Sequence, residues 1–348
     1  MSGVNFIVNP FHSDHQKNHL SRRGTKKCFC VLSCALLLSA LTGCGKEVEQ
    51  IYETKAASPN FRAIQTSPLF EGREKSFAAD LCLPQDLRYA DSQVGTDALS
   101  AAALYDVTDA QTLFSYGATA RVYPASTTKI MTALVALKYG KLNQEIEISE
   151  RAANPGDDAQ RLVLEPGDRM TLEQALHYLM VFSANDVAIA IAENIGGSYD
   201  EFVDMMNREA HAIGATGTHF TNPHGLHEED HYTTAYDLYL ILNEAMKYQT
   251  FRDIIPLDYY NTTFIGSDGY SKSIEVRATD AYLTGDVETP SGITVLGGKT
   301  GTTDLAGHCL IISSRGSDDK EYISVVMHTD SAESLYESMN SLLAEIPQ

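Results

Sequence analysis

Strand signals stand at both ends of a helical block, and that order leaves few ways to bury a core. Residues 100–107 and 112–116 read as two strands around a turn at 108–111. Residues 127–139 are apolar and rich in Ala, Leu and Met, which predicts a buried helix. Thr171-Leu172-Glu173-Gln174 is a capping box, and Leu172, Ala175, Leu176, Leu179 and Met180 form the stripe behind it. Residues 185–195 predict another helix, ended by Gly196-Gly197; Ser198 caps the next, which Gly214 ends. A further helix is expected over 234–248. Strand signals return at 294–299, 308–313 and 322–328, and 331–346 closes as a helix. The expected fold class is α+β: one antiparallel sheet of about five strands, drawn from both chain ends, with the helices inserted as a second lobe.

With 348 residues, 43% of them hydrophobic, the chain can bury a substantial core. Its net charge of −20 offers no basic footprint for nucleic acid. The charge is unevenly placed. Lys17, Arg22, Arg23, Lys26 and Lys27 precede an apolar run over 28–41 that is too short for a comfortable membrane span. This is the layout of a secretory signal. The run ends in Leu41-Thr42-Gly43-Cys44, which resembles the bacterial lipoprotein box. Residues 1–43 are therefore expected to be a signal peptide and Cys44 a lipidation site, with more than one acyl chain giving stable attachment. Residues 44–95 are polar and aperiodic, a tether partly ordered near 81–87, with a reach of about 40 Å. The folded domain is expected over 96–348. Of six cysteines, Cys28, Cys30 and Cys34 would leave with the signal. Cys82 and Cys309 remain, expected as unpaired thiols, with an extracytoplasmic disulfide as the alternative.

Three short motifs carry candidate chemistry. Ser126-Thr127-Thr128-Lys129 opens the buried helix after Pro124. Residues i and i+3 share a helix face, so the amine can reach the hydroxyl. A serine hydroxyl needs such a base to be a nucleophile. The free N–H groups at a helix start suit an oxyanion. Ser183-Ala184-Asn185 breaks an apolar helical stretch with two hydrogen-bonding side chains. Gly297-Gly298-Lys299-Thr300-Gly301-Thr302 ends a strand; Lys299 and the hydroxyls of Thr300 and Thr302 suit a carboxylate. Taken singly, each has a plainer reading: a capping serine with a surface lysine, a helix corner, and a glycine-rich hairpin.

Together and in this order they match the S-x-x-K, S-x-N and K-T-G trio of β-lactamases and penicillin-binding proteins. Residues 123–133, 220–226, 231–237 and 297–304 strongly resemble the serine-type D-alanyl-D-alanine carboxypeptidases, the low-molecular-weight penicillin-binding proteins. The resemblance covers about 98–346 and implies a β-lactamase/transpeptidase-like fold and a serine D,D-peptidase domain over 96–348. It implies that Ser126 attacks the carbonyl between two D-alanines and that Lys129 takes its proton. Ser183 would protonate the leaving D-alanine, with Asn185 holding the substrate amide. Thr300 and Thr302 would bind the terminal carboxylate, Lys299 would supply positive charge beside the site and help keep Lys129 neutral, and Gly301 belongs to the same substrate-binding set. The backbone N–H groups of Ser126 and Thr302 would form the oxyanion hole. The implied partners are peptidoglycan stem peptides ending in D-Ala-D-Ala, with β-lactams as inhibitors and no metal or organic cofactor. The implied location is the outer face of the cytoplasmic membrane. Ser-Ala-Asn stands where many relatives have Ser-Gly-Asn, a minor departure.

Three rivals remain. A β-lactamase would share the trio, but an E-x-x-L-N deacylation motif is missing between Asn185 and Lys299. A metal site would use His219, His224, His227 and His231 with the acids 228–230, which lack the helical ordering of zinc peptidases. A silent wall-binding lipoprotein would keep the fold without turnover.

Overall fold

The computed structural model describes residues 80–84, 94–97, 99–156 and 159–347. The expected signal segment, the lipidation site Cys44 and most of the expected tether lie outside the described residues. In chain order the elements begin with β1 (Ala101–Asp106), β2 (Gln111–Tyr116), a 3-10 turn (Ala125–Thr128), α1 (Lys129–Tyr139), β3 (Glu145–Glu147) and α2 (Glu150–Ala153). They continue with β4 (Arg169–Thr171), α3 (Leu172–His177), a π-helical turn (Tyr178–Phe182), α4 (Asn185–Gly196), α5 (Tyr199–Ala212), α6 (Ala235–Ala245) and α7 (Gln249–Ile254). The last are β5 (Tyr259–Ile265), β6 (Ser271–Arg277), α8 (Ala281–Thr284), β7 (Thr294–Thr303), β8 (Gly307–Arg315), β9 (Glu321–Thr329) and α9 (Ala332–Leu343).

The main sheet has the strand order β2-β1-β9-β8-β7, and every pairing is antiparallel. The two chain ends join where β1 pairs with β9, Ala101 opposite Met327. Both faces are covered, and strand alternation sorts the side chains between them. Ala101, Ala103 and Tyr105 of β1, with Cys309, Ile311, Val325 and Met327, pack toward the helical lobe. Ala102 and Leu104, with Leu310, Ile312 and Val326, pack on Leu335, Met339, Leu342 and Leu343 of α9. The capping box at Thr171 forms, with Gln174 answering the N-cap backbone.

The sheet from both chain ends matches expectation. The helical lobe carries in addition a four-stranded sheet, order β3-β4-β5-β6, that was not expected. Its first two strands have three residues each, too short for a periodic signal. The hairpin β5–β6 did carry a legible one: β-branched and aromatic residues on either side of Gly266-Ser267-Asp268-Gly269. The strand expected over 294–299 runs on to Thr303, so that Lys299-Thr300-Gly301 lies inside β7.

Residues 80–84 lie against the helical lobe. The Tyr236 hydroxyl donates to Cys82 O at 2.9 Å, and Cys82 N donates to the Tyr239 hydroxyl at 3.0 Å. Cys82 and Cys309 are free and buried. Burial pushes the two thiols up to about 11 and about 12. No helix among the described residues is long and apolar enough to cross a membrane.

Candidate active site

Ser126 sits in the 3-10 turn that feeds α1, and the turn is held by its own threonines. Thr127 Oγ1 donates to Pro124 O at 2.7 Å and Thr128 Oγ1 to Ala125 O at 2.8 Å. Ala125 has φ +47°, a strained value for a residue with a side chain. His231 reinforces it. Thr221 N–H donates to His231 Nδ1 at 3.0 Å, so Nε2 carries the proton and donates to Thr128 Oγ1 at 2.8 Å. Burial lowers His231 to about 3, which keeps that tautomer neutral.

Lys129 is the first residue of α1 and is fully buried. Its Nζ lies 2.6 Å from Asn185 Oδ1, 2.6 Å from His224 O and 2.9 Å from Ser126 Oγ. The first two partners can only accept. A neutral amine spends its two N–H groups on them, and its lone pair is left for the Ser126 hydroxyl to donate into. Burial, and then the Lys299 charge, hold Lys129 well below the ordinary lysine range, against a smaller opposing pull from Asp186.

Ser183 caps the π-helical turn at φ +68°, leaving Asn185 to start α4. Gln160, which the sequence reading passed over, brackets this turn. Its carbonyl accepts Asn185 N–H at 2.8 Å, and its side-chain amide donates to Phe182 O. Nothing in its local sequence marks it, because the contact is made by a loop that returns from elsewhere. Gln160→Ala should slow acylation about tenfold, the equivalent of one lost hydrogen bond, with little change in melting temperature; stopped-flow acylation kinetics would check this.

From the other side comes β7, the outer strand of the main sheet. Ser126, Gln160, Ser183, Asn185, Thr300, Gly301 and Thr302 line one groove of about 290 Å³. Gly301 lets the strand approach: a Cβ there would stand 2.8 Å from Ser126 N and 3.0 Å from Pro124 O. Lys299 is buried behind the groove. It donates to Thr300 O at 3.0 Å, and Thr279 Oγ1 stands 3.5 Å away. Burial lowers Lys299 to about 7, with Asp280 pulling the other way. Thr279 was also missed; its Oγ1 is 2.6 Å from Thr300 Oγ1. Past Thr302, whose Oγ1 is 3.3 Å from His308 Nδ1, the groove opens into a wider crevice lined by Asp304, His328 and Asp330.

Thus Lys129 contacts both Ser126 and Asn185, Ser183 and residues 300–302 line the same groove, and Lys299 underlies it. Cys44 lies outside the described residues. The four histidines of the rival metal reading do not meet. His224 Nδ1 accepts Leu226 N–H at 3.2 Å, His219 Nδ1 is 2.6 Å from Asp230 O, and His231 is turned toward Thr128. No group of three His, Cys, Asp or Glu side chains among the described residues is arranged to hold a metal ion.

The family profile described as D-alanyl-D-alanine carboxypeptidase, Peptidase_S11, matches residues 90–331. D-alanyl-D-alanine carboxypeptidase DacF of Bacillus subtilis is 41% identical over 143 residues, 40% of this chain and 36% of that protein. DacA of Haemophilus influenzae is 32% identical over 213 residues, 60% of this chain and 51% of that protein. The chain thus aligns with about half or less of these two relatives. The crystal structure of the Streptomyces K15 DD-transpeptidase superposes with a TM-score of 0.66 at 27% identity, covering 72% of this chain and 97% of that one.

Proposed function

Since the chain belongs to the D-alanyl-D-alanine carboxypeptidase family of S11 serine peptidases, we propose that it removes the terminal D-alanine from peptidoglycan stem peptides through an acyl-enzyme on Ser126. The observation that carries this reading is the Lys129 amine, fully buried, held well below the ordinary lysine range by burial and the Lys299 charge, and 2.9 Å from the Ser126 hydroxyl. Lys129 takes the hydroxyl proton as Ser126 Oγ bonds to the carbonyl carbon between the two D-alanines. The backbone N–H groups of Ser126 and Thr302 receive the oxyanion. Ser183 passes a proton to the departing amine and Asn185 holds the substrate amide. Thr300 and Thr302, on either side of Gly301, receive the terminal carboxylate, and Lys299 supplies positive charge from behind them. Water then hydrolyses the ester. β-Lactams stop the cycle by acylating Ser126.

The location completes the proposal. Family members act on peptidoglycan outside the cytoplasm. Residues 1–43 would direct export, lipid on Cys44 would hold the protein on the outer face of the cytoplasmic membrane, and residues 44–95 would let the domain reach the wall.

Incubation with a pentapeptide ending in D-Ala-D-Ala should release D-alanine, and Ser126→Ala should release none. Intact mass should show a long-lived penicilloyl adduct on the wild-type chain. Rapid turnover of the drug would favour a β-lactamase instead, and failure to label at all would favour a silent binding module.

A further inference from the structure

Among the described residues, four buried side-chain polar atoms have no hydrogen-bond partner: Tyr105 Oη, Asp280 Oδ2, Ser314 Oγ and Ser324 Oγ. Asp280 is the carboxyl group of the four. An orphaned carboxylate oxygen is expensive to bury unless a charge stands near it. The other oxygen is fixed. Asp280 Oδ1 accepts from Tyr282 N–H at 3.1 Å and from the Tyr336 hydroxyl at 3.3 Å. That hydroxyl in turn accepts Ala281 N–H at 2.8 Å. The Asp280 carboxyl is thereby clamped between α8 and α9, directly behind β7.

The preceding residue ties the clamp to the site. Thr279 Oγ1 lies 2.6 Å from Thr300 Oγ1 and 3.5 Å from Lys299 Nζ. Lys299 is 1% exposed and Asp280 3%, so water screens neither charge. We propose that Asp280 is a positioning residue for acyl transfer: its buried carboxylate keeps Lys299 charged, and the Lys299 charge keeps Lys129 neutral and able to accept the Ser126 proton. This rests on the roles given above to Lys129 and Lys299.

The charged and titratable groups facing this chain of influence are few. Asp280 faces Lys299, Tyr282 and Tyr336, and Tyr336 also faces Asp286; Lys299 faces Asp280 and Lys129; Lys129 faces Lys299, Asp186, His224 and His231. Burial raises Asp280, and the Lys299 charge works against that rise. In the other direction Asp280 supports the protonation of Lys299 against burial.

Asp280→Asn tests it through the pH profile of penicillin acylation. Without the carboxylate, Lys299 gives up its proton at lower pH, so the alkaline limb should fall by about one unit. With Lys299 less charged, Lys129 holds its proton to higher pH, so the acid limb should rise. The active window narrows from both sides, and Asp280→Glu should widen it again. A lower plateau with unmoved limbs would overturn the inference and leave Asp280 a structural residue. Should Asp280→Asn fail to fold, Tyr336→Phe removes one donor to the carboxylate and should move the alkaline limb down by less; an unmoved limb there also overturns it. The wild-type control separates the two readings, since a wild-type chain that does not acylate on Ser126 defeats the proposed function itself.

Discussion

Lys129→Met should lower kcat/KM on a D-Ala-D-Ala peptide about a thousandfold, within the range for loss of a general base, while leaving the melting temperature at pH 7 no lower than wild type. The two halves of this expectation have one cause. Lys129 is held far below the ordinary lysine range by burial and by Lys299. The unfolded chain protonates this amine up to about pH 10.4 and the folded chain does not. Unfolding therefore takes up a proton between the native and unfolded pKa values, and stability rises with pH across that window. Below the window the penalty is complete, at about 1.4 kcal/mol for each unit of depression. Methionine removes it. Against this gain, Asn185 Oδ1 and His224 O lose their donor, at about 1 kcal/mol each. Thermal melts from pH 6 to 10 should thus be flatter for the variant. Activity within tenfold of wild type would remove Lys129 from the role of base.

Gly225→Ala should lower both fold stability and the rate of acylation. Gly225 has φ +90°, and a Cβ there would stand 1.8 Å from Ala125 O, a backbone atom that cannot swing aside. Left-handed backbone costs an alanine about 1–2 kcal/mol, and overpacking adds about 1–3. A loss of about 3 kcal/mol would lower the melting temperature by about 8 °C in a domain of this size. The displaced atom belongs to the residue before Ser126, so the nucleophile and its N–H shift with it. A misplacement near 1 Å is worth about a hundredfold in rate. Labelling by a fluorescent penicillin, measured beside thermal melts, would check both. A variant that labels at the wild-type rate would show that the 3-10 turn does not depend on this contact.

The sheet built from both chain ends was legible because most of its strands are short apolar runs between polar turns, and both signals are local. The trio of motifs was legible because Ser126 and Lys129 share one helical turn. The second sheet was lost in part because β3 and β4 are three residues long. Gln160, Thr279 and Asp280 were not singled out for a different reason. Each acts across a long sequence separation, through a backbone carbonyl, a threonine hydroxyl or an unpaired carboxylate oxygen, and no period or spacing records such a contact. The depression of Lys129 belongs to the same class, since burial and a second ammonium from β7 produce it together.

The pairing of β1 with β9 also sets when the protein can become active. Ser126 and Lys129 are made early, on the helical lobe, but their counterparts on β7 come from the late hairpins that dock beside β1. A partly synthesised chain holds Ser126 without the β7 residues proposed to receive the carboxylate and the oxyanion. Contacts this distant along a chain also form slowly. Completion of the proposed site is thereby deferred until the late hairpins have docked, a timing written into strand order alone.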